Sequence, residues 1–146
     1  LVRDGEVVCS LVSAPALGRR WWATRGGGAF ADGSRVRVSA VSSLESASVS
    51  TTSARRMPGG WKAIVQRAWS NRGLGDFWQH CLVAEGSLDV ACDSVMKLWD
   101  YAPVQLLVEE AGGRCTTYDG GEPAVDASFV TTNGLLHDEV VSLLGA

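Results

Sequence analysis

The chain has 146 residues, a formal net charge of −3, and 46% apolar and 20% charged side chains. This composition supplies one packed core rather than two and excludes a chain disordered throughout. No apolar run approaches the roughly 18 residues of a membrane span, no basic start reads as a leader, and the mild acidity argues against a general nucleic-acid binder.

The composition therefore predicts one small soluble domain in the cytoplasm. Cys9, Cys81, Cys92 and Cys115 are widely spaced with no C-x-x-C pair, which predicts four reduced, mostly buried thiols rather than a zinc ribbon or a disulfide framework.

Asp4-Gly5 is a hairpin signal. Residues 7–12 supply its second strand, and only Leu1-Val2 remains for the first. That half hairpin predicts a chain that begins inside a larger domain. Residues 21–24 form the next strand, closed by Gly26-Gly27-Gly28. Ala29-Phe30, the turn Asp32-Gly33, and residues 35–39 with Val36 and Val38 on one face predict a further hairpin. Residues 39–53 are Ser-rich, but β-compatible residues at 47–52 favour a short strand over a flexible linker.

After Pro58-Gly59-Gly60, the apolar positions Trp61, Ile64, Val65, Ala68 and Trp69 fall at helical spacing. Residues 71–75 are a Gly-rich connection. Asp76 is expected to cap a helix running to about Glu85. Phe77 with Cys81 and Trp78 with Leu82 make that helix apolar on more than one side, so it is expected to be deeply packed. Leu88, Val90 and Cys92 alternate with Asp89, Ala91 and Asp93 as in a strand.

A helix with the stripe Val104, Leu107, Val108 and Ala111 follows Trp99-Asp100 and ends at Gly112-Gly113. Residues 114–118 and 129–132 are strands around the turn Asp119-Gly120-Gly121. Asn133 caps a last helix with Leu136, Val140, Leu143 and Leu144 on one face. Strands dominate the first half and alternate with helices in the second, so the predicted fold is a layered α/β (α+β) sandwich without internal repeats.

Several residues could carry chemistry. Asp100, just ahead of a helix, is either an N-cap or a metal ligand beside backbone donors that can also hold a phosphate. Asp93 is either a solvated strand end or a second carboxylate in the same crevice. The Gly75-Asp76-Phe77 turn is either an ordinary helix start or a set of N–H groups facing a ligand. Arg25-Gly26-Gly27-Gly28 matches neither phosphate-loop pattern and precedes strands, so it reads as a β-turn. His80 and His137 lack zinc-site spacing, and no serine sits in a G-x-S-x-G elbow.

The run Leu98-Trp99-Asp100-Tyr101-Ala102-Pro103-Val104, continuing to Glu109-Glu110-Ala111-Gly112-Gly113, resembles the C-terminal signature of the inositol monophosphatase family. Arg25 to Phe30 with Asp32-Gly33, Ala84-Glu85-Gly86 and Thr132-Asn133 fit the same family in order. Within it, Arg72-Gly73-Leu74-Gly75-Asp76-Phe77-Trp78, Cys81-Leu82-Val83-Ala84-Glu85-Gly86 and the tail from Thr132 to Val140 are similar to the actinobacterial histidinol-phosphate phosphatase branch.

The resemblance implies the C-terminal half to two-thirds of a single phosphatase domain spanning residues 1–146. It implies a Mg²⁺-dependent phosphomonoesterase, a small phosphate monoester as partner and a homodimer. Asp100 becomes a metal ligand, and Asp93, Gly75, Asp76 and Phe77 become substrate contacts, with Asp93 suited to the ammonium of histidinol phosphate. The family's Asp-Pro-x-Asp-Gly-Thr run and its preceding Glu do not occur here, so the water-activating Glu and Thr are expected upstream, and no residue of this chain is assigned as catalytic. Pro103 stands where the family has a small residue, with a small effect expected in a first helical turn. The alternatives are an inositol, sugar or nucleotide monophosphatase, or a catalytically dead binding module.

Overall fold

The computed structural model describes residues 1–145. Residues 2–36 form an antiparallel meander. A hairpin of β1 (Val2–Arg3) and β2 (Glu6–Val7) turns through Asp4 and Gly5, both at positive φ, as an Asp-Gly turn requires. β3 (Cys9–Ala14), β4 (Arg19–Thr24), β5 (Gly28–Ala31) and β6 (Ser34–Val36) then form a four-stranded sheet in that order. The single strand expected over residues 7–12 is thus divided at Val8. The chain changes partner there, from β1 to β4, and the N–H of Val8 goes to the Leu1 carbonyl at 3.0 Å.

The second sheet is mixed. It contains β7 (Ser48–Thr51), β8 (Ser70–Arg72), β9 (Val90–Met96), β10 (Arg114–Thr116) and β11 (Ala127–Thr132), in the order β10-β11-β9-β7-β8. β7 runs parallel to both β8 and β9, and the β9, β11 and β10 pairs are antiparallel. The helices are α1 (Gly60–Arg67), α2 (Asp76–Ala84), α3 (Leu98–Glu110) and α4 (His137–Leu144).

α2 and α3 lie between the two sheets, while α1 and α4 pair on the far face of the mixed sheet. One core joins Trp21, Ala23 and Ala29 of the meander to Leu106, Leu107 and Phe129. The other joins Val49, Val90, Cys92 and Val130 to Ile64 and Val140. α3 is buried on several sides because a sheet covers each of its flanks, which a single apolar stripe does not convey. A Cβ on Gly60 would fall 1.7 Å from the Leu143 carbonyl oxygen, so glycine is what lets α1 and α4 approach. The layered α/β class expected from the alternation of elements is the observed one.

Three local expectations are corrected. Trp69 does not extend the α1 stripe: the helix ends at Arg67, Ala68 is extended, and Trp69 is 71% exposed. The break frees Ser70–Arg72 to pair with Ser48, Val49 and Ser50, so part of the expected 71–75 connection is strand. α3 begins at Leu98, placing Asp100 inside its first turn and Pro103 in its second. The helix tolerates Pro103 because the carbonyl it forgoes belongs to Trp99, a residue 75% exposed and open to water.

Candidate active site

Two parallel strands, β7 and β9, end beside the starts of α2 and α3. In open α/β sheets, ligand crevices form outside the carboxyl ends of strands. A cleft of about 250 Å³ lies at that place. The segment that follows β7 contributes Thr52, Ser53 and Arg56. α2 contributes Asp76 and Phe77, β9 and its end contribute Asp93 to Met96, and α3 contributes Asp100.

Four of the five residues singled out from the sequence therefore line one cleft: Asp76, Phe77, Asp93 and Asp100. The fifth, Gly75, adjoins it as the N-cap of α2. Asp76 is not the cap expected of it. It is the first helical residue, at φ 48°, and follows Gly75 at φ 71°, ψ 159°. The pair bends the backbone sharply, and β7 supports the bend: Asp76 N–H donates to Thr52 Oγ1 at 2.8 Å and Leu74 N–H to Ser50 Oγ at 3.3 Å. Ser50 and Thr52 share a face because strand side chains alternate.

Asp93 is not a solvated strand end. It sits inside β9, paired with Phe129 of β11, and is 8% exposed. Alternation turns Val90 and Cys92 toward the α1–α4 side and Ala91 and Asp93 toward α2. There Gln79 Nε2 donates to Asp93 Oδ2 at 2.6 Å, and His80 Nε2 lies 2.9 Å from the same oxygen. Buried carboxylates need such partners.

Asp100 is less constrained. It occupies the third position of α3 and accepts the Lys97 N–H at 3.4 Å, the back-reaching arm of a capping box. Its cap and ligand readings are compatible, since the carboxylate lines the cleft. The Asp100 carboxylate offers the oxygen ligand that suits a hard cation such as Mg²⁺. Among the described residues, no group of three or more His, Cys, Asp or Glu is placed to hold a metal ion.

The remaining candidates have structural partners. Gly26 and Gly28 give their N–H groups to Glu110, so the Arg25 turn has no free anion cradle. His137 is held between Thr132 Oγ1 at 3.0 Å and Thr116 Oγ1 at 3.1 Å. Burial pushes the Cys81, Cys92 and Cys115 thiols well above their usual range, and all four cysteines are free. At the far end of α2, Glu85 accepts from Trp21 Nε1 and from Arg19 at 2.7 Å, anchoring the helix to the meander.

Sequence reasoning missed Arg56, Thr52 and Gln79, and weighed His80 only as a zinc ligand. A signal existed for two of them: Gln79 and His80 are polar residues in a helix whose flanks are apolar, and such residues require buried partners.

The inositol monophosphatase family model matches residues 1–144. A histidinol-phosphatase of Mycobacterium tuberculosis is 45% identical over 160 residues, covering 100% of this chain and 60% of that protein. The fold matches Thermotoga maritima IMPase with a TM-score of 0.90 at 36% identity, covering 99% of this chain and 58% of that one. It also matches an IMPase/NADP phosphatase described as complexed with Mg²⁺ and phosphate, with a TM-score of 0.86 at 26% identity, covering 95% of this chain and 54% of that one. The chain thus spans less than two thirds of the length of curated relatives it matches, 60% in the case of the Mycobacterium tuberculosis protein. The family match runs almost end to end and agrees with the layered fold, so this chain belongs to the inositol monophosphatase family.

Proposed function

We propose that this chain forms the C-terminal part of a Mg²⁺-dependent phosphomonoesterase that hydrolyses histidinol phosphate. The observation that carries the reading is the convergence of Asp93 from β9 and Asp100 from α3 on a cleft flanked by two helix starts. The 45% identity to a histidinol-phosphatase supports the substrate. The likeness to a structure described as holding Mg²⁺ and phosphate supports the metal.

Asp100 would hold a metal ion, with further ligands on a segment N-terminal to Leu1. When bound, Mg²⁺ neutralises phosphate charge and lowers the pKa of a water. The starts of α2 and α3 present backbone N–H groups and positive dipole ends to the phosphate side of the cleft. Gly75 and Asp76 give the bend that brings those groups to the cleft wall, and Thr52 holds the bend. Asp93 accepts the substrate ammonium on the leaving-group side. Phe77 supplies an apolar wall.

The test is phosphate release by the full-length protein with Mg²⁺, comparing histidinol phosphate with inositol phosphate. Preference for histidinol phosphate supports the reading, and preference for inositol phosphate overturns its substrate. The likeness to Thermotoga maritima IMPase favours the second outcome as the runner-up.

A further inference from the structure

Asp93 is fixed from behind by a polar network that phosphate hydrolysis as such does not require. Both of its donors, Gln79 Nε2 at 2.6 Å and His80 Nε2 at 2.9 Å, converge on Oδ2. No hydrogen bond from the described residues reaches Oδ1, and Asp93 lines the cleft. One oxygen is therefore anchored and the other is left as the acceptor.

The orientation of each donor is itself determined. The Ser50 hydroxyl accepts the Leu74 N–H, so it donates to Gln79 Oε1 at 2.8 Å and turns the amide NH₂ toward Asp93. Thr131 Oγ1 lies 2.8 Å from His80 Nδ1. Since a carboxylate only accepts, His80 Nε2 carries the proton that faces Asp93. The ring is fully buried and stands edge-on to Phe129, with centroids 5.1 Å apart. It has no room to swing.

We propose that Gln79 and His80 are positioning residues that hold Asp93 with Oδ1 presented to a primary ammonium on the substrate's alcohol portion. The inference rests on the functional reading above and deepens it. A clamped carboxylate is committed to one direction, which suits recognition of a charged N–H donor. Asp100, with only one 3.4 Å backbone contact, remains free to turn toward a metal. The network thus divides the labour between two acids of the same cleft. It also ties recognition to the bend at Gly75, because Ser50 and Thr52 bond both that loop and Gln79.

The test uses the full-length protein with Mg²⁺ and two esters: histidinol phosphate and its deaminated analogue. The readout is the ratio of their kcat/KM values. His80→Phe keeps a ring against Phe129 and removes the donor, so it should lower the ratio by about tenfold or more, mainly through KM for the amine-bearing ester. His80→Gln restores an amide N–H near the position of Nε2 and should recover most of the ratio. Gln79→Met is the second variant, expected to lower the ratio in the same sense should His80→Phe fail to fold. Equal loss on both esters in the folded variants would overturn the clamp, as would a wild-type ratio near one. A wild type that prefers inositol phosphate overturns the functional reading instead, so the two failures are distinguishable.

Discussion

The carboxylate of Glu110 accepts two backbone N–H groups of one turn, from Gly26 at 2.8 Å and from Gly28 at 2.9 Å. An acid in the last turn of a helix opposes the helix dipole. Here the turn supplies donors to Glu110, and Arg25 pairs with the neighbouring Glu109 at 2.6 Å. The Gly-rich turn and the Glu-Glu pair, 82 residues apart from Gly28 to Glu110, are two halves of one clip between the meander and α3. Glu110→Ala should cost about 1–2 kcal/mol, since charge-accepting hydrogen bonds contribute on that order and the site is partly solvated. Urea unfolding measures it, and a midpoint unchanged from wild type would contradict the clip.

Gly75 sits at φ 71°, ψ 159°, a region essentially closed to residues with a Cβ. Space is not the obstacle, because a Cβ there would meet Thr52 at an ordinary 3.6 Å. Gly75→Ala should therefore destabilise through backbone strain, by roughly 1–3 kcal/mol. A thermal melt compared with Gly59→Ala, where φ is −55° and nothing lies within 4 Å, checks it. Equal melting temperatures would show that the bend adapts.

Asp100→Asn keeps the shape of the side chain and removes its charge. On the proposed metal role, the Mg²⁺ concentration giving half-maximal activity should rise by about tenfold or more. Activity titrated against Mg²⁺ reads this directly. A variant that saturates at the wild-type concentration would leave Asp100 as a capping residue only.

Burial, reinforced by the Arg114 cation, lowers the His137 pKa from 6.5 to about 4. Its partners agree with a neutral ring: Thr116 donates to the Thr117 carbonyl and so accepts from Nε2, while Thr132 accepts the Gly134 N–H and so donates to Nδ1. Between these two pH values the unfolded chain binds a proton that the folded chain does not. The contribution is therefore complete above pH 6.5 and is lost as pH falls toward 4. The slope should approach about 1 kcal/mol per pH unit. Urea midpoints at several pH values in this window test the sign, and His137→Gln should flatten the dependence.

Much of the fold was legible because the signals were local. The apolar periodicity of Trp61, Ile64 and Val65 marked α1, and the Asp-Gly pairs marked turns that require positive φ. Helix and strand limits were less legible where tertiary pairing competed. Trp69 carries the spacing of a helix residue but leaves the helix so that Ser70–Arg72 can join β7. At the site, the carboxylates were legible as residue types, but their surroundings were not. Alternation groups Asp93 with Asp89 and Ala91, opposite Leu88, Val90 and Cys92, which left a solvated strand end and a crevice carboxylate both open, and only the packing of α2 on β9 buries it.

The sequence by itself determined the class of fold, the family and the acids at issue, because periodicity, turn chemistry and motif are properties of neighbouring positions. The tertiary structure decided which acids share a cleft, and that Asp93 is clamped while Asp100 is not. Those facts depend on Ser50, Gln79, His80, Asp93 and Thr131, which lie up to 81 positions apart and meet only because β7, β9 and β11 are neighbours beneath α2.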